Sequence, residues 1–111
     1  MSDILELEKQ ADALREAGDY PQAIEKLNEI LACDEQFVRA HLGLSVLYHL
    51  TGDYEKSVRH GERAVELEPD DSFNVAALSI TYQRALDATG DLAYKEKAEE
   101  MLFRNHGQPR M

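Results

Sequence analysis

Apolar residues recur along this chain at helical rather than strand spacing. Ile4, Leu7, Ala11 and Leu14 fall on one face of a helix, and Ala23, Leu27 and Ile30 form the stripe of a second. Gly18-Asp19 stands between the two stripes. Gly18 can take the left-handed conformation that ends a helix, and Asp19 is placed to cap the next, with Pro21 tolerated in its first turn. The pattern then repeats. It predicts a helix over about Glu35–Leu50, a turn at Gly52-Asp53, and a helix over about Tyr54–Leu67 that Pro69 stops. A third pair is predicted over about Ser72–Thr89 and Leu92–Arg104, joined at Gly90-Asp91. Tyr94, Ala98, Met101 and Leu102 mark the buried face of the last helix.

The repetition has a fixed period. Gly18-Asp19-Tyr20 returns 34 residues later as Gly52-Asp53-Tyr54. At the same offset Ala11, Ser45 and Ser79 are small, while Leu14, Tyr48 and Tyr82 are large. Leu44 pairs with Leu78, Ala23 with Ser57, Ile30 with Ala64 and Glu35 with Pro69. The third Gly-Asp comes 38 residues after Gly52, and the four extra residues lie between Tyr82 and Gly90. A small residue lets the two helices of a pair approach, and its large neighbour fills the gap toward the next pair. One pair cannot bury its apolar face alone, so pairs must stack. The expected architecture is all-α: six helices in three antiparallel helix-turn-helix repeats, over about residues 4–37, 38–71 and 72–105. They form a single domain over residues 1–105, with residues 106–111 as a flexible C-terminal tail.

These residues resemble the tetratricopeptide repeat. The resemblance covers residues 4–105 and is clearest in the second repeat, through Leu44, Ser45, Tyr48, Gly52, Asp53, Tyr54, Ala64 and Pro69. In the first repeat Glu35 stands where proline is usual. The third fits in its first helix only. The resemblance implies a right-handed superhelical stack with a concave groove lined by the first helix of each pair. It implies a scaffold, adaptor or co-chaperone-like module that holds a partner peptide or helix, not an enzyme. One subset of the family grips carboxylate tails with lysine, asparagine and arginine. The matching positions here are Glu8, Asp12, Gly43, Phe73 and Ala77, none of which can do so.

Projected through the period, the groove is expected to carry Leu5, Glu8 and Asp12 from the first repeat. The second contributes Arg39, Leu42, Gly43, Val46 and His49, and the third Phe73, Ala77, Ile80 and Arg84. Gly43 is expected to let a ligand backbone come close. Leu42, Val46, Phe73, Ala77 and Ile80 would form an apolar floor for a partner segment bearing apolar anchors and some basic residues. The alternative is self-association through exposed terminal repeat surfaces.

Composition narrows the classes of function. The formal net charge is −10, with a balance of −7 in residues 1–35, −3 in residues 36–71 and zero in residues 72–111. Such a surface repels phosphate backbones and argues against nucleic acid. There is no basic, apolar leader and no run near the ~20 apolar residues of a membrane span, so a cytoplasmic location is expected. The lone Cys33 excludes an internal disulfide and is expected to be a small, at least half-buried packing residue. His41 and His49 lie two helical turns apart, too far to share a metal, and His41 is expected to pack at a large position. Glu6, Glu8, Asp12 and Glu16 read as solvated helix surface. No phosphate-cradling glycine loop, catalytic triad or cofactor site is legible.

Overall fold

The computed structural model describes residues 3–105. These form six α-helices and no strand: α1 (Ile4–Glu16), α2 (Tyr20–Cys33), α3 (Val38–Thr51), α4 (Tyr54–Leu67), α5 (Ser72–Thr89) and α6 (Leu92–Asn105). They pair as three hairpins, each packed on the next. The expected tail from residue 106 and the side chain of Leu102 lie outside the described residues.

Local chemistry sets the hairpin turns. Gly18, Gly52 and Gly90 carry φ of 82°, 89° and 74°, where any other L-residue is strained. In the first two turns the N–H of Asp19 and of Asp53 reaches back to the carbonyl of Leu14 and of Tyr48, both at 2.8 Å. The same aspartates then cap the following helix, accepting from Gln22 N–H and Lys56 N–H. Asp71 caps α5 in the same way, accepting from Phe73 and Asn74.

The start of α3 differs from expectation. Helix begins at Val38, three residues after Glu35. Asp34 holds Gln36 N–H in a local turn at 3.0 Å. Glu35 is occupied elsewhere: its carbonyl accepts from His41 Nε2 at 2.7 Å, and its carboxylate takes a bidentate pair with Arg63 of α4 at 2.7 and 2.8 Å. Residue 35, where proline is usual, thus ties the connection between the first two hairpins to the second helix of hairpin two. Cys33 is also not where it was expected. It is exposed, because it ends α2 beside the Ala23–Leu27–Ile30 stripe rather than on it.

Two apolar clusters share the core. Leu7, Ala11, Leu27, Ile30, Leu44 and Leu47 fill the first, from α1 to α3. Val58, Val65, Val75, Leu78, Tyr82, Ala98 and Met101 fill the second, from α4 to α6. Their boundary runs through hairpin two, where the close approach is polar. Ser45 Oγ donates to the Ser57 carbonyl at 2.8 Å, and Ser57 Oγ donates to the Ser45 carbonyl at 2.6 Å. Both serines are buried.

The four-residue insertion lengthens α5 to 18 residues against 14 for α3. Its effect on α6 follows from the pairing. Ser45 faces Ser57, 12 residues on, whereas Ser79 faces Ala98, 19 residues on. The seven additional residues amount to about one extra turn on each arm. The third hairpin therefore projects about 6 Å beyond the others, and the first turn of α6 pairs with the added turn of α5.

Candidate interaction groove

The first helices α1, α3 and α5 meet at two junctions, which correspond residue for residue at the 34-residue period. At the first, Glu8 and Arg39 form a bidentate ion pair at 2.8 and 2.9 Å. The Arg39 guanidinium holds the Glu8 carboxyl below its ordinary range, and Glu8 raises Arg39 in turn. Behind this pair Leu27 of α2 reaches in against Gly43. A Cβ on Gly43 would lie 2.8 Å from Leu27 Cδ1. Gly43 is thus small because Leu27 fills its space, not to admit a ligand backbone. The cavity left at this junction is only about 50 Å³.

At the second junction every one of these groups changes. Glu8 corresponds to Leu42, Arg39 to Phe73, Asp12 to Val46, Gly43 to Ala77 and Leu27 to Gly61. Gly61 of α4 offers no side chain where Leu27 offered four carbons. A Cβ there would point at Leu78 Cδ1, 3.1 Å away, and at Ser45 Oγ and Thr81 Cγ2. The result is a cavity of about 230 Å³ between α3 and α5. Phe73 (70% exposed), Ile80 (53%) and Val46 (42%) stand around its mouth.

Six of the groove residues expected from sequence meet in this one cavity: Leu42, Val46, Phe73, Ala77, Ile80 and Arg84. The others do not. Leu5 is exposed over a shallow acidic depression on α1, shared with Glu8 and Asp12. Glu8, Arg39 and Gly43 belong to the first junction, so the expected acidic end of the groove is partly neutralised there. Asp12 is exposed, 3.9 Å from Arg15. His49 turns toward Tyr54, ring edge to ring face at 5.6 Å, and its Nδ1 is buried with no partner among the described residues. Sequence reasoning missed Gly61, which lies on a second helix rather than a first. Its signal was present: residue 27 is leucine, and the residue one period later is glycine.

Charge is distributed along the second junction with a direction. Asp34, Glu68 and Asp71 gather around the Phe73 end. Arg84 stands at the other end and makes no ion pair among the described residues. Phe73 and Arg84 are 11 residues apart on α5, about 16 Å along one side of the helix.

Comparison with known proteins agrees with this geometry. Residues 8–72 match the tetratricopeptide repeat family, from the first junction's Glu8 to the first residue of α5. The chain belongs to the tetratricopeptide repeat family. A TPR repeat-containing protein of Methanocaldococcus jannaschii is 32% identical over 74 residues, which is 65% of this chain. The chain spans 13% of that relative's length. Tetratricopeptide repeats are generally protein–protein interaction modules rather than enzymes. Among the described residues no helix is long and apolar enough to cross a membrane, and no group of three or more His, Cys, Asp or Glu is placed to hold a metal ion.

Proposed function

We propose that this tetratricopeptide repeat chain is a cytoplasmic adaptor or scaffold that holds a segment of a partner protein across the α3–α5 junction. The observation that carries this reading is the apolar surface of exposed Val46, Phe73 and Ile80 and half-buried Leu42, gathered around one cavity. A contiguous apolar patch rimmed by polar groups marks a binding surface, and a few well-seated anchors supply most of the energy there. The acidic rim at the Phe73 end and the net charge of −10 favour a partner with some basic residues.

Self-association through the terminal repeat is the weaker reading. Leu92 and Phe103 are exposed on α6, 11 residues apart and on one side of the helix. Exposed Glu96 and Glu99 lie between them in the chain, so the outer face is interrupted by charge.

The test compares capture of cellular proteins by the wild type and by a Phe73→Ala/Ile80→Ala variant. Both side chains are exposed, so the variant should melt with the wild type. A partner held by the wild type should be lost from the variant. Equal recovery of every captured protein would remove this surface as the binding site.

A further inference from the structure

The proposed groove has a specific reason to be open, and that reason constrains what enters it. At the first junction a large residue of the second helix meets a small one of the next first helix, Leu27 against Gly43. At the second junction the corresponding residues are both small, Gly61 and Ala77. Close packing is the rule in protein interiors, and a small residue facing a small one leaves a void unless something else fills it. Leu78 and Ser45 stand directly against Gly61, but beyond them no side chain among the described residues fills the space. The cavity is about 230 Å³ and is walled by Leu42, Val46, Ala77, Leu78 and Ile80. An apolar cavity of about 150 Å³ is already enough to take a benzene-sized ligand.

The charges on either side supply the second constraint. Arg39 of the first junction is engaged by Glu8, but Arg84 is not engaged by any carboxylate among the described residues. It is the one cation among the residues walling the cavity. Asp87, one turn further along α5, accepts from Gln83 Nε2 at 3.1 Å, and Asp34, Glu68 and Asp71 lie around the opposite, Phe73 end.

We infer that the cavity floored by Gly61 is a pocket for one aromatic side chain of the partner, and that Arg84 takes a carboxylate of the same segment beside it. This rests on the groove reading and sharpens it. The partner is amphipathic, carries an aromatic anchor, and is polarised: acidic toward Arg84, basic toward Asp34, Glu68 and Asp71. The groove thereby fixes the direction in which the segment lies, which an apolar floor alone would not do. Gly61 supplies the depth and Arg84 the orientation.

The experiment uses dye-labelled amphipathic peptides of one common sequence, titrated against the intact chain by fluorescence anisotropy. One pair differs in phenylalanine against alanine at a single anchor position. A second set differs in glutamate, glutamine or lysine flanking that anchor. The wild type should prefer phenylalanine by at least about tenfold, as for a buried aromatic anchor. It should prefer glutamate over lysine by about threefold or more, as for a partly exposed ion pair. Gly61→Leu, which restores the residue type of the first junction, should abolish the phenylalanine preference with helicity intact. Arg84→Gln should abolish the glutamate preference and leave the phenylalanine preference in place. Should Gly61→Leu fail to fold, Ala77→Leu fills the same cavity from α5 and carries the same expectation. Phe73-dependent binding that ignores both filling variants would overturn the pocket while leaving the groove reading intact. A lysine preference, or a glutamate preference that survives Arg84→Gln, would overturn the role of Arg84. Absence of binding by every peptide in the set would count against the groove itself.

Discussion

The two junctions between first helices are the same piece of architecture built twice with opposite results. In the first, a bidentate Glu8–Arg39 pair closes the mouth and Leu27 fills the depth. In the second, Leu42 and Phe73 leave the mouth apolar, and a cavity of about 230 Å³ lined in part by Gly61 remains between α3 and α5. Both span 14-residue second helices and follow one 34-residue period. The difference is side-chain volume and charge at five corresponding positions. It teaches that a repeat fold supplies a series of equivalent niches, and that sequence decides which are sealed for stability and which are left for a ligand.

The comparison can be broken most forcibly by unsealing the closed junction. Leu27 is buried against Gly43 and belongs to the first apolar cluster. Leu27→Ala should cost about 2–5 kcal/mol in denaturant unfolding, because transfer and cavity terms both act. The same substitution should leave peptide binding at the second junction unchanged. A loss well below about 1 kcal/mol would mean that the niche collapses around the smaller side chain and that Leu27 is not what seals it.

A smaller effect lies in hairpin two, which both junctions share. His41 Nε2 must donate to the Glu35 carbonyl, so His41 Nδ1 accepts, and His60 Nδ1 donates to it across 3.0 Å. That arrangement has room for one proton between the rings. Burial, with His41, Arg59 and Lys56 adding to it, pushes the His60 pKa down from 6.5 to about 4. The folded state therefore binds this proton less readily than the unfolded chain does. The associated stability is complete above about pH 6.5 and is lost as the pH falls toward about 4. His60 is only half-buried, so solvent screening limits the loss to about 1 kcal/mol. Glu8 and Glu35 are held below their ordinary 4.5 by Arg39 and Arg63, and their contributions fade only below that value. Thermal unfolding followed over this range should thus show a loss beginning before the carboxylates titrate. His60→Gln, which can still donate to His41, should flatten it. A decline of equal size in the variant would assign the loss to other groups.

Much of this fold was legible in the chain itself. The bounds of α4 and α5 follow from Gly52-Asp53, Pro69 and Gly90-Asp91, because single residues with special backbone chemistry end helices locally. The start of α3 was not, because it depends on Glu35 being held by His41 and Arg63, six and 28 residues away. Nor was the register of α6, since an added turn shifts pairing on both arms while the sequence shows only one insertion. In the groove, six residues that meet at the second junction were found by projecting first-helix positions through the period. The Glu8–Arg39 pair escaped because its members are 31 residues apart and were read as independent surface charges. Gly61 escaped because a cavity is set by what a neighbouring element lacks, and periodicity reports the residues that are present.

The open niche is the second one, about 230 Å³ against about 50 Å³ at the first. Amide chemical-shift mapping with the phenylalanine-bearing peptide tests it directly. Shifts should concentrate on Val46, Gly61, Ala77 and Ile80 and leave Glu8, Asp12 and Gly43 in place. Shifts centred on the first junction, or on the outer face of α6, would contradict it.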